Sequence, residues 1–83
     1  MPSRPNWLRA LPRALVILQV MTVRTLDDVR ELMRHLPRGH REKATWQHVA
    51  AQLIRAANGA DTVDVAAALQ MVLSMEGVEF RPK

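Results

Sequence analysis

Four cations crowd the stretch RHLPRGHREKATW: Arg34, Arg38, Arg41 and Lys43, with His35 and His40 among them. Basic side chains at this density could neutralise a row of phosphates, and imidazoles could ligate a metal. Each possibility has a plainer competitor. Arg30 and Arg34 follow Asp27 and Glu31 by three residues, a spacing at which helical side chains pair. On that reading Arg38, Arg41 and Lys43 form a hydrated turn, the usual fate of a surface charge run. The plainer reading is preferred.

Metal chemistry needs a converging set of ligands. A helical site wants His at i and i+4, or Glu and His at i, i+3 on facing helices. His35 and His40 are five apart across Pro37, and His40 and His48 are eight apart. Glu31 and His35 have i, i+4 spacing, but Asp28 shares their face, so an exposed acid–imidazole pair is expected. No metal site is assigned.

Catalysis by a nucleophile finds no footing either. Cysteine and tyrosine are absent, and the serines are Ser3, near the start, and Ser74, neither in a glycine-rich elbow. Asp27, Asp28, Asp61 and Asp64 stand where helix N-termini are expected, and capping accounts for them. Gly39, Gly59 and Gly77 are isolated, so no phosphate-cradling loop exists. The chain reads as a non-enzyme with no catalytic, cofactor-binding or metal-ligating residue.

The elements that would position these groups are read from periodicity. Thr25–Leu36 has apolar Leu26, Val29, Leu32, Met33 and Leu36 on one stripe, with Thr25 and Asp28 as a capping pair and Pro37 as the stop. Ala44–Asn58 carries Trp46, Val49, Ala50, Leu53, Ile54 and Ala57, and ends at Asn58-Gly59. Thr62–Glu76 is capped by Asp61 or Thr62 and ended by Gly77, with Val78 expected to reach back to Leu73. The sequence therefore predicts an all-α fold, a small three-helix bundle over about 25–36, 44–58 and 62–76.

Its expected core is Leu26, Val29, Leu32, Met33 and Leu36 against Trp46, Val49, Leu53 and Ile54, closed by Val65, Leu69, Val72 and Met75. Trp46 is read as core, with its indole N–H reaching a partner near the surface. Trp7 has no such claim.

Residues 25–83 are read as the helical domain and residues 1–24 as an N-terminal extension. Leu15–Val23 reads as helix or irregular chain in preference to strand. A strand there needs a partner, and Val78–Phe80 is the other candidate. Met21 stands just before the first well-capped helix and is a possible start of the natural product.

Eighty-three residues make one domain at most. The net charge of +4 is uneven: residues 1–43 hold nine Lys/Arg against four Asp/Glu, and residues 44–83 three against four. Ten of the twelve cations are Arg, which fits a GC-rich coding bias as readily as phosphate chemistry. The longest apolar run, even extended to Val23, is about half the ~20 residues of a spanning helix. Arginines precede it as in a signal peptide, yet no small-x-small site follows.

The third helix is apolar nearly all round, and three helices offer too little surface to cover it, so either the N-terminal segment covers it or a second chain does. Val63, Met71, Leu73 and Met75 are therefore expected to form a protein interface, with a second copy of the chain or another protein, and Leu15–Met21 is a possible addition to it. The expected function is a small interaction or regulatory module. The alternative is a sequence-nonspecific nucleic-acid-associated protein using Arg34, Arg38, Arg41 and Lys43. The third helix makes a poor recognition helix, since it has no Lys or Arg.

From TVRTLDDVRELMRHLP through TWQHVAAQL to MVLSMEGVEFRPK, over about residues 22–83, the chain resembles small proteins of unassigned function from rhizobial and related alphaproteobacterial genomes. The resemblance implies a bacterial, cytoplasmic protein. It implies no activity, cofactor or site residue, and it favours Met21 as a start.

Overall fold

The computed structural model describes residues 5–36, 39 and 42–83. The Pro37 stop signal and Arg38, His40 and Arg41 of the basic stretch lie outside the described residues. In chain order the elements are strands β1 (Ala10–Ile17) and β2 (Met21–Thr25), helices α1 (Leu26–Arg34), α2 (Ala44–Ala57) and α3 (Thr62–Met75), and strand β3 (Phe80–Pro82).

The fold is α+β, which corrects the expected all-α helical bundle. Three antiparallel strands form a sheet in the order β2-β1-β3. The segment read in preference as helix or irregular chain is the central strand. Its partners are β2 and, through Phe80–Pro82, the C-terminal stretch that was the other strand candidate.

The physical reason lies in alternation. Leu15 and Ile17 face the helices and are fully buried, while Val16 between them is half-buried on the other face. Val23 of β2 joins them inside, paired with Leu15. Toward its start, β1 slips register with β2 between Ala10 and Leu15. Pro12 lies in that irregular stretch, where a residue without an N–H does least harm to a ladder.

The three helices form where periodicity places them, within one or two residues at their ends. Thr25 caps α1 in a full capping box: its hydroxyl accepts from the Asp28 N–H at 3.3 Å, and the Asp28 carboxylate accepts from the Thr25 N–H at 3.2 Å. Asp61 caps α3 by accepting from the Val63 N–H at 2.9 Å. Both α2 and α3 end in a Schellman motif. In α2, Gly59 at φ 114° donates to the Ala56 carbonyl and Ala60 to that of Arg55. In α3, Gly77 at φ 70° donates to the Ser74 carbonyl and Val78 to that of Leu73.

The core joins sheet and helices in one cluster. Leu11, Leu15, Ile17 and Val23 meet Leu26, Val29 and Leu32 of α1, Trp46, Val49 and Leu53 of α2, and Val65, Leu69, Val72 and Leu73 of α3. Met33 and Leu36 pack on it partly buried. Two expected core residues are outside: Ile54 is 55% exposed and Met75 66%. Ile54 is one residue, about 100°, round α2 from buried Leu53. Met75 falls in the last turn of α3, on the side away from Val72 and Leu73.

Residues 6–9 fasten two helix ends. The Asn6 N–H donates to the Ala57 carbonyl at 2.7 Å, and the Asp27 and Leu26 N–H groups donate to the Trp7 and Arg9 carbonyls at 2.8 and 3.0 Å. The Arg9 guanidinium donates to the carbonyls of Ala56 and, at 2.6 Å, Ala60. Backbone groups that helix termini leave unpaired are thus satisfied, and a cation sits at the negative end of α2. Trp7, not among the expected core residues, packs partly buried on the core, and the Arg30 guanidinium lies 4.0 Å from its ring centre.

Candidate interaction surfaces

The described cations of the basic stretch are paired with carboxylates. Arg34 donates to the Glu31 carboxylate at 3.2 Å, and Arg30 to that of Asp27 at 2.6 Å, both at the i, i+3 spacing. Lys43 reaches across to Glu76 at 3.0 Å, joining the start of α2 to the end of α3. Arg38 and Arg41 lie outside the described residues. Of the four cations singled out, the two described are therefore engaged with carboxylates.

Of the three imidazoles, His40 lies outside the described residues. His35 Nε2 stands 3.2 Å from Glu31 on the exposed face of α1, while His48 is exposed on α2. Among the described residues no group of three His, Asp or Glu side chains is placed to hold a metal ion. Ser74 is exposed on α3.

A cavity of about 220 Å³ opens where the β1–β2 turn meets the ends of the helices. Ile17, Val20, Leu32, Leu36, Trp46 and Val78 line it, together with Leu73 and His35. It is smaller than the ~300–1,000 Å³ typical of cofactor and drug-sized ligand sites. Among the described residues its one titratable lining group is His35, whose side chain is 71% exposed. Such a lining can hold a small apolar group.

Trp46 is buried, as its place in the α2 stripe predicted. Its indole N–H, expected near a partner, is enclosed with no acceptor among the described residues. A buried donor left so costs about 1–3 kcal/mol.

The expected interface residues separate into two groups. Val63, Met71 and Met75 are 52, 62 and 66% exposed. Leu73 is 2% exposed and belongs to the core, so it is withdrawn from the interface set. Its place is taken by Ala67, exposed and in step with the others. Val63, Ala67, Met71 and Met75 follow one another at intervals of four and form a single ridge along α3. Position alone hides this in the sequence, because apolar residues also cover the buried side.

The outward face of the sheet was not foreseen at all. Register places Thr22, Val16 and Arg81 in one cross-strand row. Strand alternation puts Arg24 and Ala14 on the same face, and Lys83 joins them through its N–H to the Ala14 carbonyl at 2.9 Å. The signal was available only once the strands were known.

No described helix is long and apolar enough to cross a membrane. Comparison with known proteins supplies no further guide: no family model, curated protein or solved structure matches the chain.

Proposed function

We propose that the protein is a small, non-enzymatic interaction module that self-associates through α3. The observation that carries this reading is the exposed ridge Val63–Ala67–Met71–Met75. A row of i±4n side chains is the surface that interdigitates with its like on a second helix, at a crossing angle near −50°. Ala67 in the middle of the row lets two backbones approach. The row contains no charge, and among exposed residues of α3 itself only Asp64 is charged. A second copy therefore meets it without a buried unpaired ion, and uncharged, Met-rich surface is what interface centres favour.

Three large side chains, each little more than half exposed, fall short of the ~800 Å² per partner of a standard interface. The association is accordingly weak and concentration-dependent. Sedimentation velocity over a concentration series tests it. The sedimentation coefficient is expected to rise with concentration, and Met71→Glu to abolish the rise without lowering thermal stability. A monomer at millimolar concentration, or a Met71→Glu protein that associates equally well, refutes the reading.

A further inference from the structure

We infer that the outward face of the sheet binds the phosphate backbone of double-stranded nucleic acid, without reading sequence. The face carries Arg24 on β2 and Arg81 on β3, with Lys83 just beyond. Exposed Arg13 lies beside them, its Nε donating to the Lys83 carbonyl at 3.2 Å. Arg24, Arg81 and the Lys83 ammonium form no ion pair with a described residue, in contrast to Arg30, Arg34 and Lys43, while Arg13 is engaged by the main-chain oxygen of Lys83. Two carboxylates lie near. Asp28 accepts from the backbone N–H groups of Arg24 and Thr25. Exposed Glu79, two residues before Arg81, shares the outward face at the turn end of the sheet and offsets part of its charge.

Geometry and composition choose the partner. Neighbouring strands lie about 4.8 Å apart, so charges on β2 and β3 flank the central strand at roughly 10 Å. Between them stand Ala14 and Val16, small and half-buried. Such a floor admits a bulky anionic ridge and contributes little affinity itself. A bilayer would need apolar side chains to insert, and an acidic protein would need aromatic or aliphatic anchors. In the outward rows only half-buried Val16 is of that kind. They also lack the aromatic rings on which single-stranded bases stack. What remains is guanidinium and ammonium charge of the kind that pairs with phosphodiester oxygens. The surface is independent of the α3 ridge, because α3 packs on the opposite face of β1.

The test is fluorescence anisotropy with a labelled random-sequence DNA duplex, from 50 to 200 mM salt. Three phosphate contacts predict a slope of log K against log salt of about −2.7, hence a roughly 40-fold loss of affinity over that range. Arg24→Gln with Arg81→Gln is expected to reduce the slope to about −0.9 and the loss to roughly 3.5-fold. Both side chains are exposed, and an unchanged thermal melt verifies the fold of the variant. Arg34→Gln with Lys43→Gln is expected to leave binding as it was. No binding at 50 mM salt overturns the inference. So does a doubly substituted sheet variant with wild-type affinity and slope, or competition by poly-glutamate equal to that by unlabelled duplex at matched charge.

Discussion

Removing the first twenty residues, so that the chain starts at Met21, is the severest test of the fold. It deletes β1, the only strand in contact with both β2 and β3. Three core side chains leave with it: Leu11, Leu15 and Ile17, exposed 6, 1 and 2%. At about 1.5–3 kcal/mol for each large apolar side chain withdrawn from water, their loss costs about 5–9 kcal/mol. The ladders to β2 and β3 vanish too, and the face of α3 that packs on β1 becomes bare. A domain of 83 residues has a total stability of about 4–12 kcal/mol. The loss consumes most or all of it, so the shortened chain is expected to show no cooperative transition in urea by circular dichroism. A milder form scales the effect: Leu15→Ala should cost about 3 kcal/mol and lower Tm by roughly 12–24 °C. A Met21-initiated protein that unfolds cooperatively from a helical baseline, with Leu15→Ala costing under about 1 kcal/mol, would refute the placement of β1 in the core.

Two further substitutions probe particular features. Leu53 and Ile54 are adjacent in α2, but one is 3% and the other 55% exposed; Leu53→Ala should cost about 2–5 kcal/mol and Ile54→Ala under about 1 kcal/mol, measured by urea denaturation, and equal costs would place the face of α2 wrongly. Gln19 in the β1–β2 turn has φ 63°, a left-handed conformation costing an L side chain about 1–2 kcal/mol; Gln19→Gly is expected to raise the urea midpoint, and a lowered midpoint would contradict that backbone geometry.

Gln19 also shows why the sheet was hard to read. Two-strand hairpins announce themselves through Gly, Asn or Asp at positions of positive φ. Here the turn is Leu18-Gln19-Val20, closed by the Val20 N–H on the Ile17 carbonyl at 3.0 Å, and none of its residues is a turn former. The apolar run from Ala14 to Met21 therefore passes through the turn without a break, and no alternation of period two stands clear of it. Pro12 blurred the other end. The third strand is only Phe80–Pro82, too short to carry a pattern. The helices were readable because each has a local start or stop of its own: Thr25 with Asp28, Asn58-Gly59, Asp61 and Gly77. Of the candidate surfaces, the paired state of Arg30 and Arg34 and the pairing of Glu31 with His35 followed from spacing alone. The Lys43–Glu76 pair spans 33 residues and follows only from the antiparallel packing of α2 on α3. The basic sheet face could not be assembled from residues 13, 24, 81 and 83 without the strand order.

The apolar breadth of α3 calls for cover either by the N-terminal segment or by a second chain. In the structure most of that breadth is covered from within, since β1 packs on the helix and α2 lies alongside. Val65, Ala66, Ala68, Leu69, Val72 and Leu73 are buried by these neighbours. What the sheet leaves uncovered is the narrower ridge of Val63, Ala67, Met71 and Met75. The case for association thus rests on one uncharged row instead of a whole helix surface, and this sets its strength. A helix half sheathed by its own sheet does not need a partner to fold, so dissociation of the copies should leave the monomer intact. Thermal stability that rises only slightly with protein concentration, together with a sedimentation coefficient that rises clearly, is the combination this arrangement requires. A Tm that rises steeply with concentration would mean instead that folding and association are a single event, and that the sheet covers less of α3 than the buried residues indicate.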